Sequence, residues 1–171
     1  TVAVDDDSSD DAYDDVADST VTATTVDDDT VGYTLSATIA SVTEGGSTDS
    51  FTVVLDAEPA SDVVLTVLSA DTDEATVSAA SLTFTTANWS NPQTIDVTGV
   101  DDDVDDGDQD TTVTVSVNVA ATPDGLYDAL AGQAVTVTTV DDDTVGFTHE
   151  VTALLLDETG STDSFTVVLD S

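Results

Sequence analysis

The chain has no lysine and no arginine. Its 37 aspartates and glutamates give a formal charge of −37 over 171 residues, and no basic side chain offsets any of it. Without lysine there is no Schiff-base chemistry and no isopeptide cross-link. Without either base there is no side-chain cation to grip a phosphate or a carboxylate. A polyanion of this kind is repelled by nucleic acid and by anionic membrane surfaces. Cysteine is absent, which excludes disulfides and thiolate-based zinc or redox sites. Methionine is absent too, and His149 is the one histidine. No apolar run approaches membrane-spanning length, so no membrane insertion is expected of this segment. Aromatic residues make up only 5 %, and acidity with few aromatics can mark disorder. Here, however, valine and leucine alternate with threonine over many short stretches, which disordered tails do not do.

What the chain does have is aspartate in runs. Val-Asp-Asp-Asp stands at Val26–Asp29, Val100–Asp103 and Val140–Asp143. Two carboxylates about 4 Å apart repel by roughly 4 kcal/mol at a near-surface dielectric. A fold that gathers such runs must draw cations from solution, and the hard, oxygen-seeking ion most often used is Ca²⁺.

The runs belong to a repeat. Val26 through Thr34 returns as Val140 through Thr148, and Gly46 through Asp56 as Gly160 through Asp170, in both cases 114 residues on. Val26–Asp56 and Val140–Asp170 share 21 identities in 31 positions, which chance does not produce. Glu44 and Glu158 keep the same offset, as do Tyr13 and Tyr127. The expected division is therefore 1–29 as the end of one unit, 30–143 as a complete unit and 144–171 as the start of the next. Starting and stopping inside units suggests a window on a longer tandem array. The joint at Asp143-Thr144-Val145-Gly146 has no glycine-, serine- or proline-rich spacer, so a stiff connection is expected.

Within 30–143 the pattern is all strand. Phe51, Val53 and Leu55 alternate with more polar neighbours, as do Val63, Leu65 and Val67. Leu82 and Phe84, Ile95 and Val97, Val113 to Val119, and Val135 and Val137 continue it. With an opening strand around Val31–Ile39 the count is about seven, which suits a two-sheet sandwich of immunoglobulin type. Ala121–Ala131 has room for one helical turn. In such a sandwich alternate loops share a pole. One loop carries Asp71, Asp73 and Glu74, another Asp101 to Asp110, and the last strand ends on Asp141 to Asp143. A long first segment would bring Glu44 to the same pole.

These residues carry a resemblance. Val42-Thr43-Glu44-Gly45, Phe51-Thr52-Val53-Val54-Leu55, Leu82-Thr83-Phe84, the loop Asp101-Asp102-Asp103-Val104-Asp105-Asp106-Gly107-Asp108-Gln109 and the closing Asp141-Asp142-Asp143 follow one another in order. Together they resemble a Calx-β domain, the calcium-binding sandwich of sodium–calcium exchangers and many large surface proteins. The resemblance covers all of 30–143. It implies an all-β fold of tandem immunoglobulin-like, Calx-β-like β-sandwiches, with several Ca²⁺ ions at each repeat junction. Carried over residue by residue, the implied ligands are Glu44, Asp71, Asp101, Asp102, Asp106, Asp141, Asp142 and Asp143. Asp103 of the same run joins them as a candidate, as do Asp27, Asp28, Asp29 and Glu158 at the flanking junctions. Asp105 and Asp106 stand where the family has glutamate, which shortens the reach by one methylene. Gln109 replaces the final acid of that loop, and Asp71-Thr72-Asp73-Glu74-Ala75 departs from the usual Asp-Gly-Thr-Ala.

The competing explanation of the aspartates is a solvated acidic surface. Recurrence at fixed places in a repeat favours metal instead. Trp89 is expected to pack in a loop beside Leu82–Phe84, and Tyr127 against a strand. Asn88-Trp89-Ser90 satisfies the N-glycosylation acceptor pattern. No nucleophile–base pair is evident, so catalysis is not expected. The function expected is structural: a segment of a long extracellular or cell-surface fibre, filament or adhesin stalk, or of a biofilm matrix, stiffened by Ca²⁺ at its joints. Its partners would be neighbouring repeats, with sheet edges open to lateral copies. The alternative is a Ca²⁺-responsive regulatory or ligand-binding module of a larger surface protein.

Overall fold

The computed structural model describes residues 1–5 and 7–170. Residues 33–140 form two facing sheets. One has β1 (Tyr33–Leu35), β3 (Thr48–Leu55), β7 (Gln93–Gly99) and β5 (Ala75–Val77), in the order β1-β3-β7-β5. The other has β2 (Ile39–Thr43), β9 (Gln133–Val140), β8 (Gln109–Val117), β4 (Val63–Ser69) and β6 (Ser81–Phe84), in the order β2-β9-β8-β4-β6. The fold is an all-β sandwich.

Alternation decides which side chains face inward. Phe51, Val53 and Leu55 of β3, Val63, Leu65 and Val67 of β4, Ile95 and Val97 of β7, Val113 and Val115 of β8, and Val135 and Val137 of β9 are all buried. Each contributes roughly 1.5–3 kcal/mol relative to an exposed position. Tyr33 and Tyr127 are buried with their hydroxyls satisfied. Tyr33 donates to Val115 O at 2.8 Å, and Tyr127 to Ala57 O at 2.8 Å. Trp89 packs against the core from its loop.

The strands differ in three respects from the sequence expectation. The single opening strand is divided: Tyr33–Leu35 joins one sheet and Ile39–Thr43 the other. Ala75–Val77 is an additional short edge strand, which makes nine strands in 33–140 where about seven were expected. The strand expected to run to Val119 ends at Val117, and Val119 is exposed. Ala121–Ala131 holds turns and no helix. The edge strands β1, β5, β6 and β2 have three, three, four and five residues. Natural sheets use such short edges to limit edge-to-edge pairing. Among the described residues no helix is long and apolar enough to cross a membrane.

Outside 33–140, β10 (Phe147–His149) pairs with β11 (Val167–Leu169). Its register, Phe147 with Leu169 and His149 with Val167, reproduces that of β1 and β3, Tyr33 with Leu55 and Leu35 with Val53, at an offset of 114. Among the described residues before Tyr33 there is one 3-10 turn, Asp11–Tyr13, and an isolated bridge between Val2 and Ser19. Asp10 accepts from Ala12 N there, as Asp124 does from Leu126 N one period later.

One pairing positions the site. β2 and β9, first and last strands of their sheet in sequence, run parallel, with Ile39 beside Thr136 and Thr43 beside Val140. Parallel strands finish at the same end, so Glu44 and Asp141 emerge side by side, with Glu44 N donating to Val140 O at 3.1 Å. β8 starts beside the end of β9, Gln109 opposite Thr139, which brings the loop before it to the same pole. Ala75 pairs with Gly99, and Val100 N donates to Glu74 O at 2.9 Å, which adds the loop before β5. Gly99 allows the sheets to close here. A Cβ on it would lie 2.1 Å from Thr43 O, inside any permitted contact.

Candidate metal centre

The closed pole buries charge. Glu44 is only 2 % exposed, although it follows an edge strand. One carboxylate oxygen each of Glu44, Asp102 and Asp143 lie within 4.8 Å of one another. Among the described residues, Glu44 Oε2 and Asp143 Oδ2 are buried without a hydrogen-bond partner. A buried polar atom left unpaired costs about 1–3 kcal/mol, and more when charged.

The electrostatics match. Burial pushes the Glu44 carboxyl above the ordinary range, and Asp141, Asp102, Asp106 and Glu74 push it further. Asp143 is raised first by burial, then by Asp141, Asp103, Asp142 and Asp101. Glu74 is raised first by burial, then by Asp106, Asp71, Asp102 and Asp73. The chain has no lysine or arginine to reverse any of these shifts.

The chain holds these carboxylates with local turns. Asp102 accepts from Val104 N at 2.7 Å, Asp71 from Asp73 N at 3.0 Å and Asp141 from Asp143 N at 2.8 Å. Such side-chain-to-backbone turns two residues long are a habit of aspartate. Asp141 also takes Gly107 N at 2.7 Å, and Asp108 takes Asp141 N at 3.3 Å. Gly107 has φ +77°, the left-handed region that favours glycine, and its N–H reaches Asp141 from there. Asp142 Oδ2 lies 3.1 Å from where a Cβ on Gly45 would sit, above the turn that follows Glu44.

Of the candidate ligands, Glu44, Asp102 and Asp143 are brought into one group. Asp101, Asp103, Asp106, Asp141 and Asp142 lie close enough to raise Glu44 or Asp143, and Asp71 close enough to raise Glu74. Asp27, Asp28 and Asp29 are exposed and join no group of three potential metal-binding side chains among the described residues. Asp29 N donates to Asp27 at 3.1 Å, the same turn that Asp143 makes with Asp141. Glu158 is exposed, unlike its counterpart Glu44. Its neighbour Asp157 has its carboxyl lowered, first by the Thr159 hydroxyl and then by the N–H groups of Ser161 and Thr159. A further run, Val4-Asp5-Asp6-Asp7, is out of register: 114 residues on stand Asn118, Val119, Ala120 and Ala121. Glu74 was expected at this pole with its loop but was not among the ligands named from the sequence. Its signal was its place in the acidic loop beside Asp71 and Asp73, and the pairing of β5 with β7 turns that loop toward Asp106.

A cleft of about 460 Å³, lined by His149, Val151, Ala153, Leu154 and Phe165 among others, lies in the segment around β10 and contains none of these carboxylates.

No family model and no curated protein matches the sequence. Solved structures do overlap with it. The E. coli chaperone DraB is 11 % identical with a TM-score of 0.49, over 68 % of this chain and 59 % of that one. The apo-form Calx CBD1 domain is 16 % identical with a TM-score of 0.48, over 66 % of this chain and 98 % of that one. The calcium-binding domain CBD12 of CALX1.1 is 18 % identical with a TM-score of 0.43, over 66 % and 45 %. The match thus spans about six-tenths of the DraB chain and under half of the CBD12 chain.

The donor set suits a hard cation. Three oxygens within 4.8 Å of one another fit on one ion at the 2.3–2.6 Å distances typical of Ca²⁺. The surrounding carboxylates, backbone carbonyls and water offer the remaining donors of a six- to eight-coordinate site. Among the described residues the clustered donors include no histidine and the chain has no cysteine, so softer metals have no preferred ligand here.

Proposed function

We propose that residues 30–143 form a Ca²⁺-binding β-sandwich, and that this chain is a segment of a long extracellular tandem-repeat fibre or adhesin stalk stiffened by Ca²⁺ at its joints. Glu44, Asp102 and Asp143 would hold the first ion. Asp101, Asp103, Asp106, Asp141 and Asp142, with Asp71 and Glu74 on the other flank, would complete this ion's shell and hold further ions. The observation that carries the proposal is the pair of oxygens on Glu44 and Asp143, buried and without a partner among the described residues, in a chain without lysine or arginine. Desolvated like charges are kept ionised only when they are paired or coordinate a metal; otherwise they take up protons.

The structural role is favoured by where the site lies. Asp143 ends one 114-residue period and Thr144 opens the next, so an ion held by Glu44, Asp102 and Asp143 would sit beside the joint. The recurring register of β1·β3 and β10·β11 supports a head-to-tail series of like units. Extracellular calcium-binding modules typically have dissociation constants of about 10⁻⁴–10⁻³ M.

Calorimetric titration of the whole chain tests the proposal. Saturable binding of more than one Ca²⁺ is expected, with Mg²⁺ much weaker. Asp143→Asn should weaken the tightest site by at least about tenfold. Absence of saturable binding at millimolar Ca²⁺ would overturn the proposal.

A further inference from the structure

We infer that Asp105 orients the chain leaving the sandwich, acting as a hydrogen-bond acceptor and not as a cation ligand. The inference rests on the calcium-binding proposal only for its coupling to the ion; the geometry stands on its own.

Three side-chain-to-backbone bonds stitch the β7–β8 loop to the segment after β9. Gly107 N donates to Asp141 Oδ2 at 2.7 Å, and Asp141 N to Asp108 Oδ1 at 3.3 Å. Val145 N donates to Asp105 Oδ2 at 2.9 Å. The first two fix the start of the joint. The third reaches past the aspartate run to a residue two positions before β10. Val145 is itself 71 % exposed, so packing of its side chain does little to hold it. A carboxylate accepting a backbone N–H is among the stronger hydrogen bonds available at such a place.

The loop divides its labour. Asp102 belongs to the carboxylate group with Glu44 and Asp143, and its turn onto Val104 leads directly to Asp105. Any ion that fixes Asp102 also fixes the base from which Asp105 holds Val145. Ion occupancy at one pole is thereby converted into the direction of the chain beyond it. Asp105 is a positioning residue in this arrangement, although it stands between the ligand candidates Asp103 and Asp106.

Amide hydrogen exchange at Val145, read by NMR on the whole chain with Ca²⁺ and after chelation, tests this. In the unaltered chain Ca²⁺ should slow Val145 exchange. Asp105→Ala should speed it by about fivefold and remove most of the response to Ca²⁺. Asp105→Asn keeps an acceptor oxygen and should stay close to the unaltered chain. Calorimetric Ca²⁺ affinity of both variants should change by less than about twofold. Unchanged Val145 exchange in Asp105→Ala would overturn the inference. So would a tenfold or greater loss of affinity in both variants, since Asp105 would then be a ligand. If the unaltered chain binds no Ca²⁺, the proposed function fails and the coupling with it. The clasp is then judged by the Asp105→Ala comparison in chelator, where the same change in Val145 exchange is expected.

Discussion

Glu44 Oε2 and Asp143 Oδ2 are both buried, both without a hydrogen-bond partner among the described residues, and their side chains belong to one group of carboxylates within 4.8 Å. They lie 99 positions apart in sequence and meet because β2 and β9 run parallel to the same pole. From that relationship the behaviour of the metal-free and metal-bound chain can be derived.

Neutralising either residue should have opposite effects with and without metal. Glu44→Gln or Asp143→Asn removes a buried like charge, so the chelated chain should melt at a higher temperature than the unaltered one. The same variants should lose most of the stabilisation by Ca²⁺, with affinity down by at least about tenfold. Asp49→Asn is the control. Asp49 accepts from Ser41 N at 3.1 Å on the flank of β3 and takes no part in the cluster, so the response to Ca²⁺ should persist. Melting curves of the variants in Ca²⁺ and in chelator give the comparison.

The pH dependence should change sign with the ion. In the metal-free chain the Glu44, Glu74 and Asp143 carboxyls are raised, first by burial and then by their acidic neighbours. The folded state therefore holds those protons more tightly than the unfolded state. The stabilisation is fully present below the ordinary carboxylate range near pH 4 and is lost as pH rises through the raised values. Urea midpoints in chelator should fall as pH rises above about 4. In saturating Ca²⁺ protons compete with the ion, and the midpoints should instead rise over the same interval. Parallel slopes in the two conditions would contradict this.

Gly99→Ala should damage fold and site together. The added methyl would meet Thr43 O at 2.1 Å, and Thr43 precedes Glu44. Overpacking of this kind costs about 1–3 kcal/mol. The shift of Thr43 should also weaken Ca²⁺ binding. Gly125→Ala, whose added methyl would meet Asp128 Oδ2 at 3.8 Å, should stay within about 0.5 kcal/mol of the parent. Chemical denaturation with and without Ca²⁺ reads both effects.

Tyr127→Phe should separate fold from metal. Its hydroxyl donates to Ala57 O at 2.8 Å inside the core, and losing that bond leaves a buried carbonyl unpaired. The expected cost is about 1 kcal/mol. The increment in stability on adding Ca²⁺ should be unchanged, which equilibrium unfolding in both conditions will show.

Much of this was legible in the amino-acid sequence because it is local. Alternation places Phe51, Val53 and Leu55, or Ile95 and Val97, on one face whatever they pack against, and all five are buried. Glu44 was legible through its motif, but its burial was not, since that depends on Gly99 closing against Thr43 and on β2 lying beside β9. The divided opening strand was hidden for a related reason. Tyr33–Leu35 and Ile39–Thr43 look like one strand until each finds its partner, β3 in one sheet and β9 in the other. Glu74 was placed at this pole with its loop but not counted as a ligand, and the pairing of Ala75 with Gly99 sets that loop beside Asp106. Asp27 to Asp29 and Glu158 show the converse. They repeat the residues of the site but not its neighbourhood, and all four are exposed.

The most direct measurement is the melting temperature of the whole chain in moderate salt, first with Ca²⁺ and then with excess chelator. Binding to the folded state alone adds RT ln(1 + [L]/Kd), about 2.7 kcal/mol at a hundredfold excess over Kd. For a sandwich of this size that corresponds to a rise in Tm of about 10 °C. A Tm that is the same with Ca²⁺ and with chelator would contradict a calcium centre at Glu44, Asp102 and Asp143.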